Sequence, residues 1–82
     1  MSPANVLIVE DEAIAAMATA AMLRKLGFTV CGKAASGEEA LLLLDDKCPD
    51  LIIMDIRLEG ELDGIETARR LKMLRDVPVI YV

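Results

Sequence analysis

The chain has 82 residues, which allows one small domain over residues 1–82, and 55 % of them are apolar, enough to build a core. A formal charge of −5 argues against holding nucleic acid on a basic face or adhering to an anionic membrane, and it suits a cation or a basic partner. With no histidine in the sequence, a Ser-His or Cys-His pair within the chain is excluded, and zinc is a poor candidate.

Phe28 and Tyr81 are the only aromatic residues, so the core must come from Leu, Ile, Val, Met and Ala. No apolar run approaches the length of a membrane span and the N-terminus lacks a signal-peptide pattern, so the chain reads as cytoplasmic. Cys31 and Cys48 have no metal-type spacing. A disulfide between them stays open, but in the cytosol they read as reduced, partly buried thiols.

In chain order, the first element is the run "NVLIV", Asn5 to Val9. It is short, rich in β-branched residues and continuous rather than alternating, the pattern of a strand covered on both faces. The acids Glu10, Asp11 and Glu12 follow at once. Ala13 to Leu26 is rich in Ala, Met and Leu, predicts a helix that stops at Gly27, and is apolar around most of its circumference, which predicts heavy burial or an interface. "FTVCGKA", Phe28 to Ala34, is a weaker strand. "SGEE" then opens a second helix, with Ser36 as cap and Glu39 completing a capping box, and the helix ends before Pro49. "LIIM", Leu51 to Met54, is a strand that delivers Asp55. "DGIE" opens a third helix with Asp63 as cap and Glu66 in the reciprocal place, ending near Asp76, and "VPVIYV", Val77 to Val82, is the last strand.

Strand and helix therefore alternate, which is the progression of βαβ units with right-handed crossovers and a parallel sheet. In such sheets ligands bind beyond the carboxyl ends of the strands, where this sequence places Glu10, Asp11 and Asp55. If the first and third strands are neighbours, these acids converge, at an electrostatic cost that a cation relieves. A hard ion such as Mg²⁺ takes oxygen ligands and one or two carboxylates, and a carboxylate beside it can attack phosphorus. Glu12, Glu38, Glu39 and Glu66 read instead as acids marking helix N-termini, where the helix dipole favours them.

"VLIVEDE", "PDLIIMDIRL", "LDGIETARRLK" and "VPVIYV" together resemble the receiver domain of two-component response regulators, over the whole chain and in the family's order. The resemblance implies a flavodoxin-like α/β fold, with a parallel sheet of about four strands in the order 2-1-3-4 and three helices. It implies Asp55 as the acceptor of a phosphoryl group from a histidine kinase or histidine phosphotransfer protein. Glu10, Asp11 and Asp55 match the Mg²⁺ ligands, with the backbone carbonyl of Arg57 completing the set. Such a domain is a phosphoacceptor rather than an enzyme, at most catalysing its own phosphorylation and dephosphorylation. It contacts neither nucleic acid nor membrane directly.

This sequence departs from the family pattern in three places. Glu10 stands where Asp is commoner, and "RLEGELDG" is longer than the usual "MPxMDG" and lacks its proline. The sequence stops at Val82, before the family's Thr or Ser, its later Lys, and its final helix, strand and helix; Lys33 and Lys47 fall in the wrong places to substitute. The expectation is a fourth strand left as an open edge and a first helix, with Met17, Met22 and Leu23, left with too little cover, both favouring self-association.

The alternative reading is thus a phosphorylation-impaired receiver fragment that assembles through those surfaces. A metal-dependent phosphatase of the haloacid-dehalogenase type would want a second acid at position 57, where Arg57 stands. In the family the start of the first helix docks the kinase. Ala15, Ala16 and Ala18 suit docking and core packing equally.

Overall fold

A computed structural model describes residues 3–58 and 60–82. Glu59, in the loop "RLEGELDG", lies outside the described residues. The elements are β1 (Asn5–Val9), α1 (Ala13–Lys25), β2 (Thr29–Ala34), α2 (Gly37–Lys47), β3 (Leu51–Met54), α3 (Gly64–Leu74) and β4 (Val79–Tyr81). Their four strands pair in parallel in the order β2-β1-β3-β4, as expected.

The continuous apolar runs are explained by a core on each face of the sheet. Along β1 the side chains alternate: Val6 and Ile8 pack with Ala16 and Ala20 of α1, while Leu7 and Val9 pack with Ala40 and Leu44 of α2 and Leu71 of α3. β3 divides in the same way, Ile53 toward α1 and Ile52 and Met54 toward α2 and α3. Every position of these runs is thus asked to be apolar, and burying each such side chain contributes about 1.5–3 kcal/mol. Leu58, beyond β3, completes the α2 and α3 side of the core.

The helix ends are set by local chemistry. After α1, the Gly27 N–H bonds the Arg24 carbonyl and the Phe28 N–H bonds the Leu23 carbonyl, with Gly27 at φ 96°. This reciprocal pair is a Schellman stop and needs the left-handed residue that glycine supplies. Ser36 Oγ accepts the Glu39 N–H at 3.1 Å, while the Glu39 side chain reaches back to the Ala35 N–H at 2.9 Å, one residue before the cap. Asp63 Oδ1 caps α3 through the Glu66 N–H at 2.8 Å. The Glu66 carboxylate does not return to the cap; it binds Arg69 at 2.6 Å and Arg70 at 2.9 Å, one turn ahead. Opposite charges at those spacings outcompete a backbone amide already close to water.

One expectation is met and one corrected. α1 has too little cover, as expected of Met17 and Met22: only Ala16 and Ala20 are buried, whereas Ile14 is 83 % exposed, Met17 63 % and Met22 58 %, and Leu23 packs against the core. The helix lies on the sheet along a narrow strip of small residues, so its apolar outer side has nothing against it among the described residues. Cys31 and Cys48 are both free, but only Cys31 is half-buried; Cys48, which closes α2 in a left-handed conformation, is exposed. β4 is the outer strand, and Ile80 and Tyr81 on it are exposed, as expected.

Candidate functional site

Parallel pairing brings the ends of β1 and β3 side by side. Val9 and Met54 are partners in the ladder, so Glu10 and Asp55, each the next residue, leave the sheet together. The ladder continues into both: the Glu10 N–H donates to the Ala34 carbonyl and the Asp55 N–H to the Val9 carbonyl, each at 2.9 Å. Carboxylate oxygens of Glu10, Asp11 and Asp55 lie within 4.8 Å of one another. The cup above them encloses about 640 Å³ and is lined by Glu10, Asp11, Glu12, Asp55, Arg57 and Val82.

Asp55 is held on one side. Its Oδ1 accepts the Arg57 N–H at 2.9 Å, and the next residue, Ile56, donates its N–H to the Val82 carbonyl at 3.3 Å. Glu10 carries the strain of the cluster: its carboxyl is pushed up from 4.5 to about 7. Burial is the largest cause, followed by the bond its protonated form makes to Asp55, with Asp11 and the Asp55 charge adding to it. The Glu12 N–H, 3.4 Å from Glu10 Oε2, pulls the other way.

All four residues singled out from the sequence, Glu10, Asp11, Asp55 and Arg57, face this cup. Glu12 and Val82 were not expected to. Glu12 precedes α1 without making a side-chain cap, and its place on the wall was hidden by its resemblance to an ordinary helix-start acid. Val82 reaches the cup because its N–H bonds the Met54 carbonyl, carrying β4 up beside Asp55. The donors suit a hard divalent cation: they are oxygens alone, they converge, and the pressure on Glu10 is what an added positive charge would relieve. For a softer metal the cup offers neither nitrogen nor sulfur from His or Cys among the described residues.

The family model described as the response regulator receiver domain matches residues 6–82. The chain belongs to that family. This receiver domain is 41 % identical over 80 residues to the transcriptional regulatory protein PdtaR of Mycobacterium tuberculosis, covering 98 % of this chain and 38 % of PdtaR. It is 48 % identical over 69 residues to the positive alginate biosynthesis regulatory protein of Pseudomonas aeruginosa, covering 82 % of this chain and 27 % of that protein. The receiver domain also superposes on the signal receiver domain of a modulated diguanylate cyclase from Desulfovibrio desulfuricans, with a TM-score of 0.92 and 43 % identity, covering 96 % of this chain and 63 % of that one. No helix of the receiver domain, among the described residues, is long and apolar enough to cross a membrane.

Proposed function

We propose that residues 1–82 act as one phosphoacceptor unit of a two-component relay, in which Asp55 takes a phosphoryl group from a histidine kinase or histidine phosphotransfer protein. Mg²⁺ would be held by Glu10, Asp11, Asp55 and the backbone carbonyl of Arg57. The observation that carries this reading is the convergence of the three carboxylates within 4.8 Å at the ends of neighbouring strands. Bound there, Mg²⁺ screens the repulsion between an attacking carboxylate and the phosphoryl oxygens.

The chain's own part is placement. β3 fixes the Asp55 backbone, and the Arg57 N–H holds one carboxylate oxygen so that the other is presented to the donor. The bond from that oxygen to phosphorus forms as the donor's phosphorus–nitrogen bond breaks, and the electron pair stays on the donor imidazole. Glu10 must release its proton before it can serve as a ligand. The domain is an acceptor rather than an enzyme acting on other molecules, and such a role belongs in the cytoplasm.

The test is intact-mass spectrometry after incubation with Mg²⁺ and acetyl phosphate. A phosphoryl adduct that disappears with chelator and in Asp55→Asn is expected; no adduct on folded protein would overturn the reading. A second reading, self-association, is favoured by the exposure of Ile14 and Met17 on α1 and of Ile80, Tyr81 and Val82 at the open edge of β4. Sedimentation equilibrium decides it: a monodisperse monomer across the concentration range would remove it.

A further inference from the structure

Gly64 opens α3 at its first helical position, behind the acid cup. Its backbone does not call for glycine. Among the described residues only Gly27 and Gly60 are glycines with positive φ, so Gly64 adopts a conformation open to any residue. What position 64 lacks is room. A Cβ there would run into the carbonyl oxygen of Asp55, and would lie 3.0 Å from Ile56 Cα and 3.2 Å from the Asp55 carbonyl carbon.

All three neighbours are backbone atoms, which cannot swing aside as the tip of a side chain can. Nor is either segment loose. On one side, the Asp55 N–H is tied to β1, the Ile56 N–H to Val82 and the Arg57 N–H to the Asp55 carboxylate. On the other, the first turn of α3 is pinned by the Asp63 cap and by Thr67, fully buried, whose Oγ1 donates to the Asp63 carbonyl at 2.7 Å. We propose that Gly64 is a positioning residue for Asp55: the bare first turn of α3 seats on the Asp55 carbonyl and so fixes the direction in which the carboxylate leaves β3. Moving that peptide turns the Cα–Cβ bond of Asp55, and a misplacement of ~1 Å at a reacting group costs about 10²-fold in rate.

The proposal rests on Asp55 being the phosphoacceptor, and the experiment separates the two. Phosphorylation by acetyl phosphate at saturating Mg²⁺ is timed per folded molecule for the parent chain, Gly64→Ala and Leu71→Val. Leu71 is a buried residue about two turns further along α3, and trimming it loosens the same helix from the core. Gly64→Ala is expected to slow transfer by at least about tenfold, while Leu71→Val keeps the parent rate per folded molecule. Equal rates for the parent and Gly64→Ala, or an equal loss in Leu71→Val, would overturn the proposal.

The backbone amide resonances of Asp55, Ile56 and Arg57 give the second readout. If the parent chain takes no phosphoryl group, the functional reading fails, but displaced resonances in Gly64→Ala and unmoved ones in Leu71→Val still uphold the placement. Unmoved resonances in Gly64→Ala overturn it. Should Gly64→Ala unfold in buffer, the resonances are read in trimethylamine N-oxide, which strengthens effective burial. Failure to fold even there would assign Gly64 to the fold rather than to Asp55.

Discussion

Removing one of three crowded charges should make the metal-free protein more stable, and the size of the gain follows from the cup. Two unit charges 4.8 Å apart repel by about 1 kcal/mol in a water-like medium and by about 3.5 kcal/mol at an effective dielectric of ~20. The cup is open and its acids only half-buried, so Asp55→Asn should stabilise the chain by about 1–2 kcal/mol in chelator at pH 8. The Glu10 shift agrees. Its displacement from 4.5 to about 7 corresponds at face value to about 3 kcal/mol, of which burial takes the largest part and solvent screening removes more.

The sign of the pH dependence is fixed by the same group. Between 4.5 and about 7 the folded chain holds a proton on Glu10 that the unfolded chain has released, so the contribution of this group is fully present below 4.5 and is lost as pH rises through 7. At pH 5, with Glu10 protonated in the folded state, Asp55→Asn should gain clearly less than at pH 8. Urea unfolding in chelator at the two pH values measures both gains. A mutant no more stable than the parent at pH 8, or a gain independent of pH, would refute the argument that the acids repel one another in the folded state.

Three further outcomes are expected. Leu7→Ala, in the middle of β1 and fully buried, should cost about 2–5 kcal/mol by denaturant unfolding. Ser36→Ala removes the oxygen that caps α2 and should cost about 1 kcal/mol in the same assay, with threonine at this position restoring most of it. The Glu66 carboxylate is held down to about 2, first by hydrogen bonds from Arg69 and then from Arg70. Its contribution is present above about 4.5 and fades as pH falls toward 2, so acid titration of Glu66→Gln should show a flatter stability profile in that window.

How far the sequence could be read depended on whether a feature is local or arises between segments. The runs around Leu7 and Ile52 announced strands covered on both faces because no position in them could tolerate water, and Gly27 announced the end of α1 because a helix stop needs a left-handed residue. Glu10, Asp11 and Asp55 were legible as a site because each follows such a run and the parallel topology does the rest. The apolar circumference of α1 by itself left burial and an interface both open, since it does not say how many layers cover the helix. The partner of the Glu66 side chain was not legible because the cap and the arginines compete for it, and the geometry of the folded helix decides which wins. Another such feature is the extra residue in β2, where Val6 pairs with Val30 but Leu7 with Gly32, leaving Cys31 without a partner on β1. Gly64 was equally silent, because its meaning lies in the approach of α3 to the peptide after Met54.

The pairing of Val9 with Met54 makes the gap between Glu10 and Asp55 a lattice dimension. Adjacent strands stand about 4.7–4.9 Å apart wherever they pair, so that gap belongs to the sheet and not to any loop. The length of the connection "RLEGELDG" does not set that spacing, although its two ends, Arg57 and Gly64, both bear on Asp55. A shift of one residue between β1 and β3 would instead turn the whole apolar set of one strand to the wrong face. The same burial that holds the core together therefore proofreads the geometry of the acids.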